Sequence, residues 1–328
     1  MKLLVTGGAG YIGGTVATIL MQAGHHVTVL DNLCHSKRNE VPAGADFVQA
    51  DIADRPLVEN LLRDLQPDGV LHFAALIEAG ESMQKPEIYF RNNTASTLAL
   101  LEAMHATGVR KLVFSSTAAV YGEPEHVPID ETAKLAPTNA YGESKLLVEQ
   151  MLVWLNRIHG LRYASLRYFN VAGSLPGRGE AHEPETHLIP LILDVALGRR
   201  ENIFIYGDDY DTPDGTCIRD YIHVVDLAAA HILALDALGT RDKLICNLGN
   251  GQGFSVKEVV EAARRVTGHA IPAELKPRRP GDPARLVASS ARAQTELGWK
   301  PQTPGIDDIL ASAWEWHQIR YRVSSNNL

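Results

Sequence analysis

The sequence predicts an α/β fold, a doubly wound parallel Rossmann sheet joined to a second, smaller α+β substrate domain, and three observations carry that expectation. Short β-branched runs alternate with longer stretches of helical period as far as about residue 170, which is the βαβ rhythm of a parallel sheet. A glycine-rich turn, TGGAGYIGG, stands between the first strand-like run and the first helical one. After Gly173 the rhythm breaks and returns only in pieces. At 328 residues, 45% hydrophobic and 21% charged, the chain has material for about two domains with substantial cores.

Taken in order, LLVTG leads into a helix over 11–23, HVTVLD and FVQAD follow as strands, and a helix fills 55–65. The pattern continues through VLHFA at 70–74, a helix near 88–107, KLVFSS at 111–116, a helix over 141–159 and YASLRYFN at 163–170, giving six or seven strands. A Gly, Pro and charge-rich stretch from Ser174 to Pro184 then precedes a short helix at Leu188 to Leu197 and the turn-rich GDDYDTPDGT. Segments 224–238 and 244–248 read again as a helix and a strand of the sheet. The expected division is therefore discontinuous: 1–172 with 219–248 for the nucleotide, 173–218 with 249–322 for the substrate, and a frayed tail at 323–328.

Composition narrows the function classes. Thirty-one Lys plus Arg against 39 Asp plus Glu give a net charge of -8, which disfavours nonspecific nucleic-acid binding but not a local anion site. No apolar run approaches the roughly 18 residues of a bilayer span, and Met1 runs straight into a strand, so no membrane anchor and a cytoplasmic location are expected. Cys34, Cys217 and Cys246 form neither a CxxC pair nor a disulfide framework and read as reduced thiols. No HExxH and no Cys/His cluster is present, so no metal is expected, and Ser144 and Ser174 lack the GxSxG frame of a hydrolase nucleophile.

Gly7, Gly10 and Gly13 fall on one tight turn opening a helix, where missing Cβ atoms let backbone amides approach a pyrophosphate. The spacing is GxxGxxG, weak by itself. Asp31, ending the next strand, supplies a carboxylate for the adenosine ribose hydroxyls and repels a 2′-phosphate, so NAD is favoured over NADP. Asp31 also suits a simple turn former. Asp51, after FVQA, can reach the adenine in the same way.

Tyr141 and Lys145 in AYGESKLL project from one helix face. A Lys charge about 6 Å from the phenol, at an effective dielectric near 20, is worth roughly 3 kcal/mol, or about two pKa units, which would let tyrosinate take a proton near neutral pH. Ser115, Ser116 or Thr117, at the carboxyl end of KLVF, can hold a reacting oxygen there. Glycine turn, acidic strand end, hydroxyl cluster and YxxxK together read as oxidation of a carbinol by NAD.

These motifs, with DNLCHS, FAA at 73–75, LRYFNVAGS, GDDYDTPDGTCIRDYIHVVDLA and RRPGDPARL, resemble the extended short-chain dehydrogenase/reductase superfamily, and within it the UDP-sugar 4-epimerases, over nearly the whole chain. The resemblance implies Tyr141 as acid/base, Lys145 as its electrostatic partner and nicotinamide-ribose ligand, and Thr117 as the hydroxyl on the reacting oxygen. It implies NAD contacts from Gly7, Gly10, Tyr11, Ile12, Gly13, Asp31, Asn32, Asp51, Ile52, Phe73, Ala74, Ala75, Asn92, Ser115, Tyr141, Lys145 and Tyr168. For the UDP-sugar it implies Asn170, His187 and Leu188, with Phe204 and Tyr206 flanking the uracil, Arg219 and Arg279 on the diphosphate, and Asp282 on the uridine ribose. A homodimer formed through the helices at 88–107 and 141–159 is implied as well.

Two departures matter. Ile77 stands where related enzymes often carry Lys, which puts any role of that Lys in doubt. Ala118 and Ala119 follow Thr117 where dehydratases of the superfamily carry Asp and Glu, so elimination of water lacks its acid and base. The expected reaction is interconversion of UDP-glucose and UDP-galactose at C4 without net redox. The alternatives are 4-epimerisation of UDP-N-acetylglucosamine or UDP-glucuronate, or a non-catalytic NAD-binding regulator, which would usually lose the Tyr. Leu286, where relatives place either Tyr or a smaller side chain, leaves room for an N-acetyl group.

Overall fold

The computed structural model describes residues 1–279 and 282–325, so Pro280 and Gly281 of RRPGDPARL and positions 326–328 lie outside the described residues. The first half runs β1 (Lys2–Thr6), α1 (Tyr11–Gln22), β2 (His26–Asp31), β3 (Asp46–Gln49), α2 (Arg55–Leu65), β4 (Gly69–His72), α3 (Ala79–Ser82), α4 (Pro86–Tyr89), α5 (Ser96–Thr107), β5 (Lys111–Thr117), α6 (Ala140–His159) and β6 (Arg162–Tyr168). Then come β7 (Asn170–Ala172), α7 (Leu188–Ala196), β8 (Ile203–Tyr206), β9 (Ile218–Arg219), β10 (Tyr221–His223), α8 (Val224–Ala237) and β11 (Lys243–Leu248). The last part holds β12 (Phe254–Ser255), α9 (Val256–Thr267), β13 (Ala273–Lys276), β14 (Arg285–Leu286), α10 (Ala291–Leu297) and α11 (Ile306–Ser325).

Seven strands form one parallel sheet in the order β11-β6-β5-β4-β1-β2-β3. Its buried strands are apolar on both faces, as a helix-covered sheet requires. Val16, Ala17 and Leu20 of α1 join Leu227 and Ala234 of α8 on one face, while Val58 and Leu62 of α2, Leu100 of α5 and Leu152 of α6 cover the other. The order reverses between β1 and β4, so the crevice for a ligand opens at their carboxyl ends. A further core of α7, α9 and α11, with Ile192, Val259 and Ile309 at its centre, stands apart from the sheet.

Three local departures from the sequence reading have physical causes. The helix expected near 88–107 is interrupted by a π turn over Phe90–Ala95, because the Asn93 amide donates to Leu76 O (2.9 Å) and Ser144 Oγ (3.0 Å), and Thr94 to Ser144 O (3.0 Å). The strand read through Asn170 ends at Tyr168, and β7 leaves the large sheet to pair in parallel with β10. Arg219, expected to open the returning nucleotide segment, lies instead on β9, between β12 and β14 in a three-stranded sheet.

The chain also crosses back later than expected: Ala293 and Trp299 belong to the core of the seven-stranded sheet, where the Trp299 indole donates to Asp226 O (2.9 Å). Finally, α11 continues to Ser325, three positions into the stretch read as tail. Among the described residues no helix is long and apolar enough to cross a membrane.

Candidate active site

One cavity of about 1560 Å³ lies along the carboxyl ends of the sheet strands, and every residue named above for NAD, the UDP-sugar or the reaction lines it except Ser116, as do Ile77 and Leu286. At one end is the glycine turn. Gly7 has φ +70°, and a Cβ there would stand 2.5 Å from Ala74 N; a Cβ on Gly13 would stand 2.3 Å from Gly7 O. The turn is thus pressed against the segment after β4 in a way only glycine allows, leaving a cradle with the start of α1 open to an anion. Asp31 is buried and accepts from Ala9 N (3.1 Å) and Leu33 N (2.8 Å), so it braces the glycine turn and forms the local turn as well. Asn32 donates to Asp51 (3.0 Å), which also accepts from Ala53 N (2.8 Å), tying the ends of β2 and β3 together.

At the middle, β5 delivers its hydroxyls alternately. Ser115 and Thr117 face the cavity, while Ser116 points behind the sheet and donates to Glu149 (2.5 Å). Thr117 also caps the turn after β5 by accepting from Ala119 N (3.1 Å). Ser115 hydrogen-bonds the Tyr168 hydroxyl. Asn139 caps α6 by accepting from Gly142 N (2.8 Å), and a Cβ on Gly142 would stand 2.6 Å from Ala119 O, so the start of α6 sits directly on the end of β5.

The Lys145 ammonium donates to Ser115 O (2.9 Å), and burial pulls its pKa down to about 7. This corrects the expectation for Tyr141: burial holds its phenol above the ordinary value, a hydrogen bond with Thr117 works against that rise, and the charge of Glu78 adds to it. Desolvation thus outweighs the stabilisation that the Thr117 hydrogen bond gives the anion.

At the far end, Phe204 and Tyr206 share one face of β8, their rings edge-on at 6.4 Å. Arg279 donates to Asp282 (2.8 Å) and lies over the Tyr206 ring, while Arg219 approaches Asp282 from the other side (3.6 Å) and donates to Pro283 O (2.9 Å). Asn170, at the start of β7, is exposed, and Leu188 opens α7. His187, its side chain 44% exposed, is paired with Glu185 (2.7 Å); partial desolvation opposes its charge, but Glu185, Glu180 and Glu78 together hold its pKa up to about 9. Leu286 packs near Val120 and Tyr121.

The sequence reading missed several side chains that line the same cavity. Glu78 accepts from Thr186 (2.8 Å) and pairs with His182 (3.2 Å), and Arg178 reaches the glycine turn. They come from segments without helical or strand period, and only the charge of the Ser174 to Pro184 stretch hinted at Arg178 and His182, with nothing to mark Glu78.

A family model described as the NAD dependent epimerase/dehydratase family matches residues 3–249. The chain belongs to that family. Among curated relatives, the UDP-glucose 4-epimerase of Streptomyces lividans is 57% identical over 317 residues, 96% of each chain. A crystal structure of UDP-glucose 4-epimerase superposes with a TM-score of 0.95 at 50% identity, covering 98% of both chains. The UDP-glucose 4-epimerase of Stenotrophomonas maltophila, solved with NAD and formylated UDP-arabinopyranose bound, superposes equally well at 43% identity, covering 98% of this chain and 99% of that one. The family's cofactor fits the glycine cradle and the Asp31 carboxylate of this chain.

Proposed function

We propose that this chain is an NAD-dependent isomerase that interconverts UDP-glucose and UDP-galactose at C4 through a transient 4-keto sugar, with no net redox. The observation that carries the reading is the single cavity joining the glycine cradle, the Thr117, Tyr141 and Lys145 cluster and the Arg219, Asp282 and Arg279 end. Held along the cradle by the glycine turn and Asp31, NAD would supply a reversible hydride acceptor for C4. Everything else belongs to the chain. Thr117 orients the 4-oxygen, and Tyr141 holds the proton that leaves the 4-hydroxyl and returns to the 4-keto oxygen. Burial, which holds the phenol pKa up, favours its neutral form, and the hydrogen bond with Thr117 favours the anion that takes the proton. Arg219 and Arg279 offer forked donors to the diphosphate, which leaves the sugar ring free to present either face.

Ala118 and Ala119 supply no acid or base to expel water, so the sugar keeps its hydroxyl groups. The test is to incubate the purified protein with UDP-glucose and resolve the epimers: UDP-galactose forms with no added cofactor consumed. Accumulation of NADH without the galactose epimer would reject the reading in favour of a dehydrogenase.

Leu286 on the cavity wall supports a second substrate, UDP-N-acetylglucosamine. Leu286→Tyr is then expected to lower turnover of the N-acetylated sugar selectively, and equal losses on both sugars would remove Leu286 as the gate. We further infer a homodimer formed through α5 and α6, since Leu98, Val153, Trp154 (57% exposed) and Ile158 (64%) leave apolar surface uncovered there. Light scattering of the purified protein checks this: a monomeric mass would reject it. The cytoplasm is the proposed compartment, in keeping with three free thiols.

A further inference from the structure

Between β7 and α7 the chain forms a strap that crosses the cavity rim. It is held at its back by α11: Ser174 donates to Ser312 O (2.7 Å), and the Trp316 indole donates to Glu180 O (2.9 Å). A Cβ on Gly179 would stand 2.3 Å from the Trp316 ring, so the strap lies flat against that helix. At its front the strap grips the glycine turn. Tyr11 donates its hydroxyl to Gly173 O (2.6 Å). Arg178, at the end of a tight turn closed by reciprocal backbone bonds with Leu175, donates to Glu40 O (2.6 and 2.7 Å), Ala9 O (3.0 Å) and Gly10 O (3.3 Å).

Gly14 is what admits the guanidinium: a Cβ there would fall 1.7 Å from Arg178 Nη2. The Nε of Arg178 is buried without a partner. A trans peptide plane points its carbonyl and the following amide in opposite directions. Hence a cation holding Gly10 O on one side of the turn aims the Tyr11 N–H, a first-turn amide without a helical partner, toward the other side.

We propose that Arg178 is a cofactor-retention residue, which clamps the carbonyl side of the glycine turn so that its amide side stays set for a dinucleotide diphosphate and the strap stays closed across the cofactor's exit. This inference rests on the NAD reading above. Neither the glycine motif nor the YxxxK pair contains Arg178, and its action does not involve the reacting carbon.

The test reads NAD release rather than turnover. Protein is purified with its own cofactor, and the release rate is followed after dilution with an enzyme that destroys free NAD. Arg178→Ala and Gly14→Ala are each expected to speed release by about 10-fold to 100-fold, the range for losing hydrogen bonds to a charged group. Arg178→Lys, which keeps the charge but loses the fork, falls between them and the parent.

The Gly14→Ala/Arg178→Ala double variant is expected to release NAD no faster than the faster single variant, because both changes remove the same clamp. Unchanged release in Arg178→Ala, or effects that multiply in the double variant, would overturn the clamp. So would equal acceleration by Lys37→Ala, whose exposed pair with Glu183 joins the strap to the loop that carries Glu40 but not to the glycine turn. Failure of the underlying reading looks different: the parent protein itself would carry no NAD, and the retention role would fall with it.

Discussion

At Tyr141 two effects of opposite sign compete, and their balance sets when the proton can leave. Burial favours the neutral phenol, while the hydrogen bond with Thr117 favours the anion. Lys145 is subject to the same burial, which is why its ammonium leans on Ser115 O for a partner and its pKa falls to about 7. Removing the hydroxyl leaves the rest of this arrangement standing. Tyr141→Phe is therefore expected to lower turnover by at least about 100-fold with NAD retention intact, measured by epimer formation and by the nucleotide recovered from the purified variant. Near-normal turnover would exclude Tyr141 as the acid/base. Lys145→Met takes away the charge beside the phenol and a cavity-lining donor together, so both turnover and retained NAD are expected to fall.

Helix α6 holds its catalytic face in place through a buried charge pair. Glu149, one turn beyond Lys145 on the same face, receives Ser116 from β5 and the Arg167 guanidinium from β6, and Arg167 also donates to the Tyr121 hydroxyl (2.9 Å). Both members of the pair are about 4% exposed. Glu149→Leu alone is expected to cost about 3 to 5 kcal/mol in urea unfolding, since it strands a buried guanidinium, whereas adding Arg167→Met recovers much of that loss. Additive losses in the pair would show that the two residues do not act as a unit. Periodicity in the sequence located α6, and the YGESK spacing located its catalytic face, because both repeat along a single element. The anchoring of that face was not legible: Glu149, Ser116, Arg167 and Tyr121 come from separate segments, and their meeting has no sequence period. The π turn at Asn93 and the departure of β7 from the sheet escaped for the same reason, being decided by Leu76, Ser144 and β10 rather than by neighbours in the chain. Glu78 and Arg178 lie outside any regular element, so the strap's part of the cavity was the part least visible.

Across the whole molecule, histidines locked neutral in the core make stability depend on pH above the usual carboxylate range. His72 on β4 bridges Thr6 (2.6 Å) and Thr97 (2.8 Å), joining the strand before the glycine turn to α5, and burial together with the charge of Lys145 pushes it down to about 3. His231 on α8 is bonded to Leu227 O (2.9 Å) behind Phe73 and Tyr168, and burial pushes it down to about 4. Below pH 6.5 the unfolded chain takes up a proton at each of these sites while the folded chain does not, so stability falls as the pH falls toward 4. His187, held up at about 9, works in a different window: its stabilising share is complete below 6.5 and is lost progressively as the pH rises from 6.5 through 9. The buried carboxyls of Glu180 and Asp220 are raised and act against the first trend, so the total slope is a poor test and a comparison of variants is needed. His231→Leu removes one of the titrating sites from a ring-lined pocket in which Nε2 has no partner. Between pH 7 and 5 the parent is expected to lose about 2 kcal/mol more than this variant in urea unfolding, the contribution of one histidine protonated only when unfolded. Equal losses over that interval would mean that His231 already carries its proton in the folded protein.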